Sequence, residues 1–293
     1  MAFDQVAIYG RNRTAAAERI LEHLNAGWQA GGSGVSSGIM WRDVVDIRDF
    51  YASSLGRQCQ LLINARLHAL WPDLTGHAVL GVGYAVPYLA AMRERAERVM
   101  AAMPAQQGVL HWPADGAGLT TLVDELSLPF EDLSMDRVIL VHALEYSEQV
   151  RPLLREAWRV LAGSGQLIVV VPNRRGLWAR LERTPFGYGL PYSGQQLSHT
   201  LRENMFTPVE INRALYMPPI RSRMIQSSAG AWERIGARYF SALGGVLIAE
   251  ATKQIYAGTT AGARSRVKGY LPVTERAHGG AADHRRRETA RHG

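Results

Sequence analysis

Between residues 77 and 256, short apolar runs alternate with amphipathic stretches, and this alternation constrains the fold more than any other feature of the sequence. Seven runs have the length and composition of strands, at 77–82, 98–103, 119–125, 136–144, 166–172, 207–218 and 244–256. Helical stretches separate several of them, at 87–99, 147–163 and about 220–238. Apolar strands that alternate with helices favour a mostly parallel sheet covered on both faces. We therefore predict an α/β, Rossmann-like domain.

The two ends of the chain differ from this central region. Residues 1–39 finish in the Gly/Ser-rich segment "AGGSGVSSG" and are interpreted as an N-terminal extension with a linker. Apolar residues recur at helical spacing over 46–71, before Pro72. Residues 258–293 lack an apolar pattern and are interpreted as a disordered tail. The predicted domain therefore covers residues 40–257.

Composition and charge limit the cellular setting. The sequence has no apolar stretch long enough to cross a membrane, no secretory signal and a single cysteine, Cys59, which together favour the cytoplasm. The net charge is +7, and residues 261–293 alone hold eight basic and three acidic residues. This basic tail either keeps the protein soluble or attracts an anionic partner, such as RNA.

Two stretches carry recognisable motifs. "VLGVGYAVPYL" (79–89) ends an apolar run in Gly-x-Gly and turns into a helix. A turn without side chains lets the backbone approach a ligand, and a helix N-terminus attracts negative groups. Residues 128–173 then contain Leu-Pro-Phe, the strand that Asp136 opens, His-Ala-Leu-Glu-Tyr, a helix ending in Arg-Val-Leu, a Gly-containing turn and a strand ending in Pro-Asn.

In this order and spacing, the motifs resemble those of the class I S-adenosylmethionine-dependent methyltransferases of the type 11 group, over roughly residues 46–256. The resemblance implies a seven-stranded, mostly parallel sheet and S-adenosyl-L-methionine as cofactor. It implies binding in the crevice at the carboxyl ends of the strands. The cofactor-binding residues that it predicts are Gly81, Gly83, Tyr84, Ala85, Met103, Trp112, Asp124, Glu125 and His142.

Several positions depart from the family pattern. Gly81 stands where the family usually has an acid, and Ala85 stands where it usually has glycine. Met103 replaces the acid that accepts the ribose hydroxyls. Either the loop 104–118 compensates, with His111 or Trp112 against the nucleoside, or Trp112 fills the adenine slot. In the second case the chain would be a non-catalytic binding or regulatory protein with a degenerate cofactor site.

The resemblance also indicates where catalysis and substrate recognition would occur. His142 and Glu145 follow the fourth strand and are the predicted catalytic residues. The alternatives are that His142 only hydrogen-bonds the strand end and that Glu145 is an acid at a helix N-terminus. No metal-ligand spacing is present. The predicted substrate-binding residues are Tyr146, Arg174, Arg175, Phe186, Tyr188 and Tyr192. Residues 174–200 form either a substrate wall, a surface for a protein partner, or a structural loop.

Overall fold

The computed structural model describes residues 43–182 and 184–255. The predicted N-terminal extension and the basic tail therefore lie outside the described residues. Within them, one sheet contains seven strands in the order β3-β2-β1-β4-β5-β7-β6. The strands are β1 (Ala78–Gly83), β2 (Arg98–Pro104), β3 (Thr120–Val123), β4 (Met135–Val141), β5 (Leu161–Pro172), β6 (Phe206–Ala214) and β7 (Val246–Lys253).

The strand directions confirm the predicted Rossmann-like architecture. Strands β1 to β5 pair in parallel, whereas β7 runs antiparallel to both β5 and β6. The central strand β1 is buried along its whole length, as expected for a strand covered by helices on both faces. Consequently Gly83, Pro104, Val141 and Pro172, the last residues of β1, β2, β4 and β5, share one edge of the sheet. We call this the carboxyl edge.

Helices cover both faces of the sheet, and each face has its own apolar core. The longer helices are α1 (Val44–Ala52), α2 (Ser54–Leu70), α3 (Val86–Arg93), α4 (Val150–Val160), α5 (Gly194–Glu203) and α7 (Ala229–Tyr239), and α6 (Arg223–Ser227) is a short one. The predicted single helix near 220–238 is thus two helices. Among the described residues, no helix has the length and hydropathy needed to cross a membrane.

The helical pattern over 46–71 also breaks into two helices, α1 and α2. Ser53 is extended between them, with φ −74° and ψ 162°, and its hydroxyl accepts the backbone N–H of Gly56. A Cβ atom on Gly56 would lie 2.0 Å from the carbonyl oxygen of Phe50. Because this glycine allows the close approach, α1 can turn away from α2 and lie at the carboxyl edge.

Candidate active site

The Gly-x-Gly motif ends β1 at the carboxyl edge, where the chain itself occupies the space beside both glycines. Gly83 has φ +83°, and a Cβ atom there would lie 2.3 Å from the carbonyl oxygen of Val141. The next residue, Tyr84, donates its N–H to that same oxygen at 2.8 Å. A Cβ atom on Gly81 would lie 2.6 Å from side-chain atoms of Ala85 and Leu89. Both glycines therefore serve close packing against β4 and α3.

His142 follows β4 at the centre of this edge and is fully buried. Its φ of +50° places the backbone in the left-handed region, where histidine is uncommon. Three partners hold it there: Gln107 donates to its carbonyl oxygen, Nδ1 lies 3.1 Å from Oε1 of Glu145, and Nε2 lies 2.9 Å from the hydroxyl of Tyr51. Glu145 is also fully buried, and its Oε2 has no hydrogen-bond partner among the described residues.

These contacts decide between the alternative roles predicted for Glu145. Helix α4 begins at Val150, so Glu145 is not the first-turn acid of a helix. Instead its carboxyl group faces the imidazole of His142, which fixes the ring orientation. With the carboxyl group as acceptor, Nδ1 carries the proton and Nε2 accepts from Tyr51. His142 and Glu145 thus form a dyad that the topology brings together, as their predicted catalytic roles require.

Tyr51, from α1, closes the crevice above the dyad. Its hydroxyl lies 2.8 Å from that of Tyr88, and its ring stacks on Tyr84 with centroids 5.7 Å apart. Burial raises the pKa of Tyr51 well above its usual value, and burial likewise raises the pKa of Tyr88. Both hydroxyls therefore keep their protons at neutral pH. Sequence reasoning missed Tyr51, because it lies on a helix outside every motif and only the turn at Ser53 brings it here.

The loop after β2 covers the other half of the crevice. The carbonyl oxygen of Gln107 accepts the N–H of Val44, the first residue of α1, at 2.8 Å. The Met103 sulfur accepts the N–H of Leu110 at 3.4 Å, so Met103 is satisfied within the loop. Trp112 is partly buried and packs against the core on this side. The region predicted to receive the nucleoside is thus filled by Met103, Leu110 and Trp112.

The two acidic residues after β3 have different surroundings. Asp124 is exposed, and its Oδ1 accepts the N–H of Leu126 at 2.9 Å. Glu125 is buried, accepts the hydroxyl of Ser147 at 2.7 Å, and has its second oxygen without a partner among the described residues. Burial raises the pKa of Glu125. Asp124 therefore keeps an accessible oxygen at the end of β3, whereas Glu125 faces the interior.

The predicted substrate residues fall into two groups. Tyr146 is buried and donates its hydroxyl to the carbonyl oxygen of Pro185, and Phe186 is buried 4.9 Å from the ring of His142. These two residues form the wall behind the dyad. Tyr188 and Tyr192 are partly exposed, and Arg174 and Arg175 are exposed. A shallow groove of about 480 Å³ runs between Arg174, Tyr192 and His199, outside the crevice.

In this conformation side chains of the protein cover the crevice at the carboxyl edge. Tyr51 and Tyr84 occupy the space over the ends of β1 and β4, and Met103, Leu110 and Trp112 fill the end of β2. No carboxylate stands at the end of β2 to accept ribose hydroxyls. In the part of the chain that the structure describes, no group of three or more metal-ligating side chains is found either. Helix α1 and the loop 105–119 are joined over the crevice by the hydrogen bond from Val44 to Gln107.

Comparisons with known proteins agree with the architecture. Residues 74–169 match the profile of the methyltransferase domain family. A demethylmenaquinone methyltransferase of Thermus thermophilus is 27% identical over 158 residues, which is 53% of this chain and 64% of that protein. The aligned region thus spans less than two thirds of the relative's length.

Two solved structures are similar in fold. One is a chain in the complex between the Haloferax volcanii Trm112 methyltransferase activator and a methyltransferase, with 18% identity, coverage of 72% of this chain and 98% of that chain, and a TM-score of 0.50. The other is an S-adenosylmethionine-dependent methyltransferase of Thermotoga maritima, with 16% identity, 72% and 96% coverage, and a TM-score of 0.49. At 18% identity and a TM-score of 0.50, the likeness to the first structure concerns the fold alone.

The fold and the strand-end crevice define a class I methyltransferase architecture. The seven-stranded, mostly parallel sheet is the one that the motifs predicted, and the matched region contains the Gly-x-Gly turn and the dyad. Residues 74–169 match the methyltransferase domain family, and this match implies S-adenosylmethionine as the cofactor.

Proposed function

We propose that the protein is an S-adenosylmethionine-dependent methyltransferase that modifies a hydroxyl group, with His142 as the base and helix α1 covering the crevice at rest. The match of residues 74–169 to the methyltransferase domain family supports the reaction type. One observation supports the acceptor class: Nε2 of His142 lies 2.9 Å from a hydroxyl group, that of Tyr51. The crevice is already arranged around an O–H donor at this point.

The residues of the dyad have complementary tasks in this proposal. S-adenosylmethionine supplies an electrophilic methyl group when it is bound. Glu145 accepts a hydrogen bond from the Nδ1–H of His142, so the lone pair of Nε2 points into the crevice. When α1 moves aside, an acceptor hydroxyl takes the place of the Tyr51 hydroxyl and passes its proton to Nε2. The oxygen is left as the nucleophile, and Glu145 stabilises the charged imidazole.

Opening of the crevice by α1 requires several contacts to break. Val44 is hydrogen-bonded to Gln107, Tyr51 is hydrogen-bonded to His142 and Tyr88, and four side chains of α1 are buried. Helix α1 has nine residues, which is marginal for a helix without tertiary support. We therefore assign the closed arrangement to a resting state, in which Tyr51 protects the dyad.

The test is methyl transfer from S-adenosylmethionine labelled in its methyl group. The acceptors are a panel of phenols, enols and alcohols, with demethylmenaquinone included because the Thermus relative is named for it. We expect label in an ether product with wild-type protein. His142→Gln is expected to lower the rate at saturating S-adenosylmethionine about 100-fold or more, the scale of a general base. Transfer to a carbon acceptor alone would contradict the hydroxyl assignment.

Other sequence-based predictions remain proposals. Residues 174–200, with Arg174 and Arg175 exposed and Tyr192 partly exposed, offer a surface for a substrate or a protein partner. The anionic partner of the tail and the cytoplasmic location are proposals as well. If wild-type protein binds no S-adenosylhomocysteine and transfers no label, the non-catalytic binding or regulatory function becomes the better explanation.

A further inference from the structure

On helix α7 the large apolar side chains face the solvent, and the small or acidic residues face the protein. Ala229, Glu233 and Gly236 face the protein, and a Cβ atom on Gly236 would lie 2.4 Å from the ring of Tyr216. The opposite face carries Trp232, Ile235 and Tyr239, which recur at helical spacing and are 40%, 51% and 68% exposed. An ordinary surface helix shows the reverse arrangement. The sequence of α7 is therefore typical of a helix whose outer face packs against a further apolar surface.

The exposed apolar residues extend beyond α7 on both sides along the chain. Met224 in α6 is 80% exposed, and Phe240 and Leu243 follow α7. Among the described residues, the largely exposed aromatic side chains all belong to this segment. We call the surface formed by these side chains and the arginines beside them the apolar–basic face. Its apolar residues are Met224, Trp232, Ile235, Tyr239, Phe240 and Leu243. Monomeric soluble proteins rarely concentrate large apolar side chains in this way without a binding partner.

The charges around this face have one sign. Arg221, Arg223, Arg234 and Arg238 are exposed, and no ion pair is found for any of them among the described residues. The guanidinium of Arg238 lies over the ring of Tyr239, 5.7 Å from its centroid. The acid of this segment, Glu233, is buried and accepts the N–H of Tyr216 at 2.7 Å. The outer surface is therefore apolar and cationic.

The position of the segment connects it to the crevice. It joins the end of β6 to the start of β7, which both lie at the carboxyl edge, where Ala214 pairs with Val246. The indole of Trp178 donates to the carbonyl oxygen of Met217 and packs 5.7 Å from Phe186, whose ring in turn lies 4.9 Å from His142. A continuous row of buried aromatic side chains thus links the segment to the dyad.

We propose that the apolar–basic face docks the protein on an anionic lipid bilayer, with Trp232, Ile235 and Tyr239 entering the interface and the arginines meeting lipid phosphates. Tryptophan and tyrosine suit the boundary between apolar and wet regions, and arginine keeps its charge in water while its stem covers apolar surface. A second copy of the chain is a poorer occupant, because a symmetric contact would bring two sets of four arginines together. The proposal is independent of the methyl-transfer chemistry.

The experiment measures co-sedimentation of the full chain with vesicles. One set is phosphatidylcholine alone, and the other is an equimolar mixture of phosphatidylcholine and phosphatidylglycerol. We expect binding to the anionic vesicles and little to the neutral ones. Arg234→Gln together with Arg238→Gln is expected to lower the partition coefficient about 10- to 30-fold, since each basic residue near such a surface contributes about a factor of five.

A second pair of variants tests the apolar contribution. Trp232→Ser with Tyr239→Ser should lower binding at least about tenfold. The matched control is Leu61→Ser with Val209→Ser, at sites that are 60% and 59% exposed elsewhere, which should leave binding unchanged. Unfolding curves check that each variant folds. No binding to anionic vesicles, or equal binding by the arginine variant and wild type, overturns the proposal. So does a dimer in light scattering that the Trp232→Ser, Tyr239→Ser variant abolishes.

Discussion

Gly83 has two separate reasons to be a glycine, and a pair of substitutions distinguishes them. Its φ is +83°, and an added Cβ atom would strike the backbone of β4, whereas Gly76, at φ +71°, has open space around it. We expect Gly76→Ala to cost about 1 kcal/mol through backbone strain alone. Gly83→Ala is expected to cost about 2–4 kcal/mol, because strain and clash act together. Urea unfolding measures both, and equal costs would contradict the close approach of β1 to β4.

The Tyr51 hydroxyl allows a similar comparison at the crevice. Tyr51→Phe removes the partner of both Tyr88 and His142, which remain buried. We expect a loss of about 1–3 kcal/mol of unfolding free energy, the usual cost of orphaned buried polar groups. The control is Tyr84→Phe in the stacked neighbour, for whose hydroxyl no hydrogen bond is found within residues 43–182 and 184–255, and it should cost no more than about 0.5 kcal/mol. If both variants lose the same free energy, the hydroxyl network is not a stabilising feature.

The N-terminal cap of helix α1 allows the closed arrangement to be destabilised without a change to any residue that lines the crevice. Asp43 caps α1 by accepting the N–H of Val45 at 2.8 Å. Removing such a cap costs about 1 kcal/mol, so Asp43→Ala should shift the chain towards the open state and raise its affinity for S-adenosylhomocysteine about fivefold. Calorimetric titration gives the affinity.

The control for this prediction is the equivalent change in a remote helix. Ser193 caps α5 through a reciprocal pair with Gln196. Ser193→Ala should lower overall stability by a similar amount and leave the affinity unchanged. An increase in affinity in both variants would mean that general loosening, and not α1, controls entry to the crevice.

A network of ion pairs and hydrogen bonds joins the turn before β4 to helix α4. Its contribution to stability should depend on pH in a predictable way. Arg159 pairs with Glu156 at 2.7 Å and Asp132 at 2.6 Å, and Glu156 also accepts the N–H of Leu128. Burial alone would raise the pKa of Glu156, but the hydrogen bonds from Arg159 and Leu128 outweigh it and lower the pKa below 4.5. The stabilisation is therefore complete above pH 4.5 and is lost as the pH falls through the lowered value.

Glu156→Gln tests this assignment. The difference in unfolding free energy between wild type and variant should be largest near neutral pH and should shrink as the pH falls below 4.5. We expect about 1 kcal/mol at neutral pH, because Arg159 and Glu156 are only partly exposed and form several hydrogen bonds. A constant difference across this range would show that the carboxylate charge is not involved.

Considered as a whole molecule, the fold was more predictable than the site. Strands β1, β4 and β5 contain the apolar runs 78–83, 138–141 and 167–172, whose pattern indicates a buried parallel sheet. The Leu-Pro-Phe and Arg-Val-Leu motifs mark the second half of that sheet. The pairing of His142 with Glu145 follows from their spacing after β4. These features are local, and local features can be read from a sequence.

The closure of the crevice could not be predicted in this way. It depends on the extended Ser53, which directs α1 across the carboxyl edge, and on contacts between residues far apart in sequence, such as Tyr51 with His142 and Val44 with Gln107. The spacing of apolar residues along a sequence gives no information on contacts between residues far apart in that sequence. The inverted helix α7 was also missed, because its apolar spacing looks the same whether that face is buried or exposed.

We expect the crevice beneath α1 and the loop 105–119 to open and bind S-adenosylhomocysteine. Calorimetric titration of the full chain with this ligand measures the binding. Saturable one-to-one binding is expected, with affinity weakened by the cost of opening and strengthened in Asp43→Ala. Absence of binding in both wild type and Asp43→Ala, at ligand concentrations in the millimolar range, would contradict it.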